Sequence, residues 1–332
     1  MHVIRTPDWS LPERDATPPH LALNRRAALA TLGGAMLGFG QIGAALADAK
    51  PGDPLNIALA DAKPGDRIAD YPPSAARFDP ARGLTPRHNT ETYNNFYEFG
   101  LHKDIWRKAQ KLPTEPWTIR IDGMVEKPFT LSFDDLMKKV STETRIYRHR
   151  CVEAWSLVVP WEGFPLAELV KLAKPLSGAK YLRFTSLADP KVMPGLSIPF
   201  FPWPYHEGLT MAEAMNELAF VGTGMYGAKM PKQDGAPIRV VLPWKYGFKS
   251  AKSLVRIEFL KDQPVTFWEK TSPDMYGFWA NVNPNYPTLR WSQARERVIG
   301  TGEVVPTQIY NGYGKWVAPL YAGMKQDRKL FM

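Results

Sequence analysis

Arg148-His149-Arg150-Cys151-Val152-Glu153-Ala154-Trp155-Ser156 carries the chain's one cysteine at the end of a strand-like run that begins at Thr144. A lone cysteine cannot pair within the chain. It is either a small buried hydrophobe or a sulfur held by something else. A thiolate needs a nearby cation or a metal to stay ionised, and Arg148 and Arg150 are candidates for the first. Strand alternation sets both arginines on the face opposite Cys151, so at most one bends toward the sulfur. A basic strand surface is the plainer reading of the same residues.

Working outward, Trp117-Thr-Ile-Arg-Ile-Asp-Gly123 alternates apolar and polar residues and ends at a turn, as a strand does. Ser132-Phe-Asp-Asp135 is a capping signal for a short helix over Phe133 to Val140. Pro165 starts a helix through Leu172. Lys180 to Thr185, Ile238 to Leu242 and Ser253 to Leu260 read as strands, the last with Val255, Ile257 and Phe259 on one face. Thr210-Met-Ala-Glu213 caps another short helix. Strands dominate, helices are short and no sustained strand–helix alternation appears. The pattern predicts an α+β fold with mixed sheets rather than a doubly wound one.

The first part of the chain reads as an export signal. Asn24-Arg25-Arg26 precedes an uncharged Gly- and Ala-rich stretch, Ala27 to Ala47, ending in Ala45-Leu46-Ala47. Paired arginines before a weakly apolar segment resemble a twin-arginine signal, which the translocase exports folded to the periplasm. An uncleaved membrane anchor is the competing reading, disfavoured by the glycines. The segment Ala45 to Asp53 recurs as Ala58 to Asp66, so cleavage after residue 47 or as late as residue 60 is expected. Residues 48–86 read as an extended Pro/Ala-rich lead-in, and 87–332 as a single domain. The net charge is +9, of which residues 1–47 supply +1, so the positive charge belongs to the rest. That charge suits an anionic cofactor or a membrane surface. Export argues against nucleic acid.

Several chemistries are missing. No CxxC, CxxCH, GxGxxG, Walker loop or GxSxG occurs, and His88, His102, His149 and His206 lack metal-ligand spacing. Two further clusters remain. Tyr93-Asn94-Asn95-Phe96-Tyr97-Glu98-Phe99 suits either a pocket wall facing a flat polar group or an Asn-stabilised turn. Gln233 to Arg239 with Pro243-Trp-Lys-Tyr-Gly-Phe-Lys249-Ser-Ala-Lys252 interleaves basic and aromatic residues. It suits a loop that holds phosphate, or a solvated basic loop.

From Asn89 onward, the motifs Tyr-Asn-Asn-Phe-Tyr-Glu-Phe-Gly, Arg-Cys-Val-Glu-Ala-Trp-Ser, Gly-Ala-Pro-x-Arg and Pro-Trp-Lys-Tyr-Gly-Phe-Lys together resemble the molybdopterin-dependent catalytic subunits of periplasmic protein-methionine-sulfoxide reductase. These belong to the sulfite oxidase fold group. The resemblance implies a sulfite-oxidase-like fold without the extra C-terminal dimerisation domain, and one molybdenum–molybdopterin per chain. Cys151 would be the thiolate ligand of molybdenum. Asn94, Tyr97, Glu98, Ser186, Asp234, Arg239, Ser250, Ala251 and Lys252 would contact the cofactor. Ser186 stands where the family has Thr and keeps the hydroxyl. Asp234 stands where it has Asn, and a carboxylate there needs Arg239 or another cation to offset it. The implied reaction reduces methionine sulfoxide in periplasmic proteins by giving its oxygen to reduced molybdenum. Electrons would come from quinol through a haem-bearing membrane subunit. Trp244, Tyr246 and Phe248 are expected to line an open site. Another oxo-transfer enzyme acting on sulfite or small S- and N-oxides is the nearest alternative. A cofactor-free exported binding protein with an inert Cys151 is the more distant one.

Overall fold

Glu143–Cys151 and Trp155–Pro165 form a long antiparallel hairpin in the computed structural model, which describes residues 67–332. The expected export signal, both cleavage points and the lead-in up to residue 66 lie outside the described residues. The strands are β1 (Thr118–Gly123), β2 (Phe129–Ser132), β3 (Glu143–Cys151), β4 (Trp155–Pro165), β5 (Tyr181–Ser186), β6 (His206–Thr210), β7 (Phe220–Met225), β8 (Ala228–Lys229), β9 (Arg239–Val241), β10 (Leu254–Leu260), β11 (Arg295–Val298) and β12 (Val304–Pro306).

They make two mixed sheets. One runs β2-β1-β10-β5-β6, parallel between β1 and β10 and antiparallel elsewhere. The other runs β12-β11-β4-β7-β8, with β3 added on β4 and β9 on β7. Helices are short. Leu166–Ala173 is the longest described, with Pro165 as its N-cap, and Phe133–Met137 is capped by the Ser132 hydroxyl accepting from the Asp135 N–H. This is the expected α+β class with mixed sheets.

The β3–β4 hairpin carries much of the core. Ile146, Tyr147, Val158, Val159, Trp161 and Phe164 are all buried, each full burial worth about 1.5–3 kcal/mol. Residues 67–86 pack against it. Ala75 and Leu84 cluster with Ile146 and Val158, and the Phe78 ring lies 5.6 Å from that of Tyr147. A second cluster of Phe96, Phe99, Ile105, Ala109, Leu112 and Met193 pins the segment that contains the paired asparagines.

Candidate cofactor site

Cys151 opens the turn between β3 and β4. Register pairs it with Trp155, leaving three loop residues, and the Ala154 N–H closes the turn on the Cys151 carbonyl at 3.1 Å. Ala154 sits at φ 62°, the left-handed residue that three-residue hairpins use. The turn tips the Glu153 N–H back onto the Cys151 sulfur at 3.4 Å.

The sulfur is buried, and burial followed by the Glu153 carboxylate pushes its pKa up to about 12, with Lys103 opposing. Left to itself it is a thiol. Neither arginine of the motif is bonded to it. Arg150 turns back to Glu296 (2.8 Å), Gln293 and Thr307, and Arg148 reaches Gln308 and lies over the Tyr313 ring. Both brace the hairpin from behind.

The polar company of the sulfur comes from residues that the sequence reading passed over. Asn95 Nδ2 donates to Glu153 Oε2 at 3.0 Å and lies 3.7 Å from Cys151 Sγ. Glu153 Oε2 also accepts from Trp155 Nε1 (2.9 Å) and Lys103 Nζ (2.5 Å). Burial works against the Glu153 carboxylate, but Lys103 and these donors outweigh it and hold its pKa below the ordinary value. His149, two residues before Cys151, shares its face of β3, its ring tilted against Trp155 at 6.1 Å. Burial, then Arg239 and Lys252, push its pKa down to about 3, so it is neutral. Two signals were legible. Asn95 and Glu153 stand inside the quoted motifs, and period-two spacing marks His149.

The expected cofactor contacts come together around a buried arginine, Arg239, and a half-buried lysine, Lys252. Asn94 Nδ2 donates to the Thr90 carbonyl (2.9 Å) and to Asp234 Oδ1 (2.7 Å). Lys252 Nζ spans the Asn95 and Gln233 carbonyls at 2.9 Å each. Arg239 Nη1 donates to the Asp234 carbonyl at 2.7 Å, and Nη2 to the Ser250 carbonyl at 3.3 Å. Gly235 makes this approach possible: its φ is 106°, and a Cβ there would stand 2.8 Å from the Lys252 side chain. Burial raises the Asp234 carboxyl, and Lys252 and Arg239 oppose this only in part, so the offset that an aspartate requires here is incomplete. Burial likewise pushes Glu98 up to about 7. Ser186 ends β5, Ala251 is buried beside Ser250, and the half-buried Tyr97 packs its ring on Trp268 at 5.1 Å.

The basic and aromatic loop divides. Ser250-Ala251-Lys252 joins the cradle. Lys245 and Lys249 do not, being core residues paired with Glu213 (2.6 Å) and Glu207 (2.7 Å). Trp244 and Tyr246 are fully buried, the first donating to the Tyr321 hydroxyl at 2.8 Å, so the expected lining role falls away for both. Their side chains supply apolar volume to the core, which the local pattern does not distinguish from a rim. Phe248 is half-buried and meets Tyr276 at 5.3 Å.

Residues 107–268 match the family model of the oxidoreductase molybdopterin binding domain. The chain is also similar to the protein-methionine-sulfoxide reductase catalytic subunit MsrP of Burkholderia mallei. The two are 46% identical over 321 residues, covering 95% of this chain and 94% of that relative. The chain belongs to the MsrP family. The family's subunit from Ralstonia nicotianae is 45% identical over 99% of this chain and all of that one. Among solved structures, the sulfane dehydrogenase SoxCD from Paracoccus pantotrophus is 20% identical, with a TM-score of 0.38 over 46% of this chain and 40% of that one. As an MsrP-family oxidoreductase the chain takes a molybdenum–molybdopterin cofactor.

The residues present fit that group. Asn94 Oδ1, Ser186 Oγ and Asp234 Oδ2 are buried without a hydrogen-bond partner in the chain, a costly arrangement unless a ligand supplies one. The pterin's N–H groups can donate to them, and its phosphate suits Arg239 and Lys252. Among the described residues no three His, Cys, Asp or Glu side chains converge as a metal site.

Proposed function

We propose that this chain reduces methionine sulfoxide in periplasmic proteins to methionine, repairing oxidised proteins. The observation that carries the reading is near-full-length identity of 45–46% to catalytic subunits of that name, with Cys151 standing at the β3 end of the β3–β4 turn. The overall change is sulfoxide plus two electrons and two protons to sulfide plus water. When bound, the molybdenum cofactor supplies the two-electron oxygen-atom transfer.

The chain's own part is to hold, orient and supply protons. Asn94, Tyr97, Glu98, Ser186, Asp234, Arg239, Ser250, Ala251 and Lys252 would hold the cofactor, and Cys151 Sγ would bind the metal. Holding a metal there would require Cys151 to give up its thiol proton. The nearest acceptor is Glu153 Oε2, 3.8 Å from Sγ. Lys103, at 19% side-chain exposure, joins solvent to Glu153, at 8%, so the pair can pass protons inward to the sulfoxide oxygen.

The same reading covers delivery and electron supply. Arg25-Arg26 and the uncharged stretch after them support export of the folded chain by the twin-arginine translocase. No second redox centre is evident in the sequence, and the relatives are named catalytic subunits, which supports a separate haem-bearing membrane subunit fed by quinol. The test is oxidation of a reduced viologen by methionine sulfoxide, with the molybdenum content of each preparation measured. Dye oxidation by the loaded protein and none by Cys151→Ala supports the reading. A molybdenum-loaded native protein that leaves the dye reduced overturns it.

A further inference from the structure

One stretch of the surface differs from the rest. Pro194 to Tyr205 holds four prolines (Pro194, Pro199, Pro202, Pro204), two phenylalanines and a tryptophan, and no charged residue, in a chain that is 23% charged. Phe200 at its tip is 54% exposed. The loop is fastened directly to the cofactor segment. The Gly195 N–H donates to the Glu98 carbonyl at 2.8 Å, and a Cβ at Gly195 would stand 2.0 Å from the Tyr97 carbonyl oxygen. From Phe200 a run of rings leads inward. Phe200 meets Phe201 at 5.0 Å, Phe201 meets Trp268 at 5.8 Å, and Trp268 meets both Tyr97 (5.1 Å) and the half-buried Tyr276 (5.3 Å). Tyr97 and Tyr276 both lie within electrostatic reach of the Cys151 sulfur and the Glu153 carboxylate. Phe201 and Trp268 are themselves buried, so this run of rings ties the exposed Phe200 to the residues beside Cys151 through the interior.

We propose that this Pro/Phe/Trp lip is where the enzyme holds its protein substrate, gripping an extended, uncharged and apolar segment on one side of the methionine sulfoxide. The proposal rests on the reductase reading above. Methionine belongs to apolar sequence, and its oxidised form becomes reachable where such sequence is exposed. The lip has no charge with which to recognise an acidic or basic segment. Four missing N–H groups prevent it from pairing as a sheet edge with a bound strand, so side-chain contact carries the recognition. Its prolines hold the rings in place before the partner arrives, which lowers the ordering cost of binding. The Gly195 N–H fastens the lip to the Tyr97–Glu98 backbone, so a segment held here is held next to the site.

The test uses the loaded holoenzyme and reduced viologen with three substrates: free methionine sulfoxide, and two nonapeptides with central methionine sulfoxide flanked by Leu, Val and Phe or by Asp and Lys. The native enzyme should favour the apolar peptide. Phe200→Asp should lower that preference, measured against free methionine sulfoxide, about tenfold and through KM, and Phe200→Leu should restore it. A preference that survives Phe200→Asp, or an equal loss on all three substrates, overturns the lip. Failure of the reductase reading is read separately, because a fluorescent apolar peptide with unoxidised methionine reports binding without turnover. Binding lost in Phe200→Asp supports the lip even if no sulfoxide is reduced. Loss of co-sedimentation with phosphatidylglycerol vesicles, peptide affinity being intact, assigns the surface to lipid and overturns it. Loss of a dimer in sedimentation, peptide affinity again intact, assigns it to a second copy with the same consequence.

Discussion

Two buried charged regions of this molecule look alike in composition and differ in what they leave open. In the first, Lys245 Nζ donates to Glu213, to the Trp279 carbonyl (2.7 Å) and to Asn281 Oδ1 (3.0 Å), which uses all three of its N–H bonds. Glu213 also accepts from the Tyr321 hydroxyl at 2.6 Å and from the N–H and hydroxyl of Thr210. In the second, Arg239 is as deeply buried and Lys252 half-buried, but Asn94 Oδ1, Ser186 Oγ and Asp234 Oδ2 find no partner in the chain. Burial of charge therefore does not mark the cofactor site. A single unpaired atom does not mark it either, since Asn281 Nδ2 beside Lys245 and Glu207 Oε1 beside Lys249 also lack partners; three such atoms on residues already expected to meet the cofactor do.

The largest effect expected from this contrast is in the closed region. Glu213→Ala strands the Lys245 ammonium in the core and should cost about 3–5 kcal/mol in urea unfolding. A loss under 1 kcal/mol would mean that the region is not closed. In the open region the effect should move from stability to activity. Glu153→Gln keeps the shape beside Cys151 and removes the carboxylate facing Lys103, so it should lower kcat about 100-fold, roughly 2.7 kcal/mol of barrier. Its melting temperature should stay near that of the native protein. A normal kcat with a lower melting temperature would move Glu153 to the closed class.

Asp234→Asn sharpens the contrast through pH. Burial puts the folded-state pKa of Asp234 above its ordinary value, so ionising it costs the folded state. That cost sets in as pH rises through the ordinary value of 3.8 and is complete above the raised one. The Asn variant of the cofactor-free protein should be about 1–2 kcal/mol more stable near pH 8, with the gain fading as pH falls toward 3.8. A constant difference across that range would remove the carboxylate from the explanation. The smallest effect is Ser186→Ala. Deleting a hydroxyl that has no partner should leave cofactor-free stability within about 1 kcal/mol of native or slightly raise it. The fraction of chains that purify with molybdenum should still fall. Unchanged occupancy would show that Ser186 does not face the cofactor.

Much of the architecture could be read from local pattern. β1, β3, β5, β9 and β10 fall within a residue or two of their expected places, and both capping signals act on the helices they announce. β4 was not legible. It is buried on both faces nearly throughout and contains Pro160 and Pro165, so it has no period of two and resembles punctuation. The paired lysines Lys245 and Lys249 misled for the opposite reason. Their spacing suits a basic anion-binding loop, while the acids that neutralise them lie more than thirty residues away in the chain.

The sequence by itself determined the mixed α+β character, the solitary sulfur at a strand end and, through its motifs, the family. These rest on periodicity, on turn and cap chemistry and on residue identity, which act over a few neighbours. Only the tertiary structure decided which polar residues serve the site. It brought Lys103 and Asn95 against Glu153, turned Arg148 and Arg150 away from Cys151, and left three acceptors open around Arg239 and Lys252. The physical reason is that a buried polar group is defined by its partners, and in this fold the partners come from segments far apart in the chain.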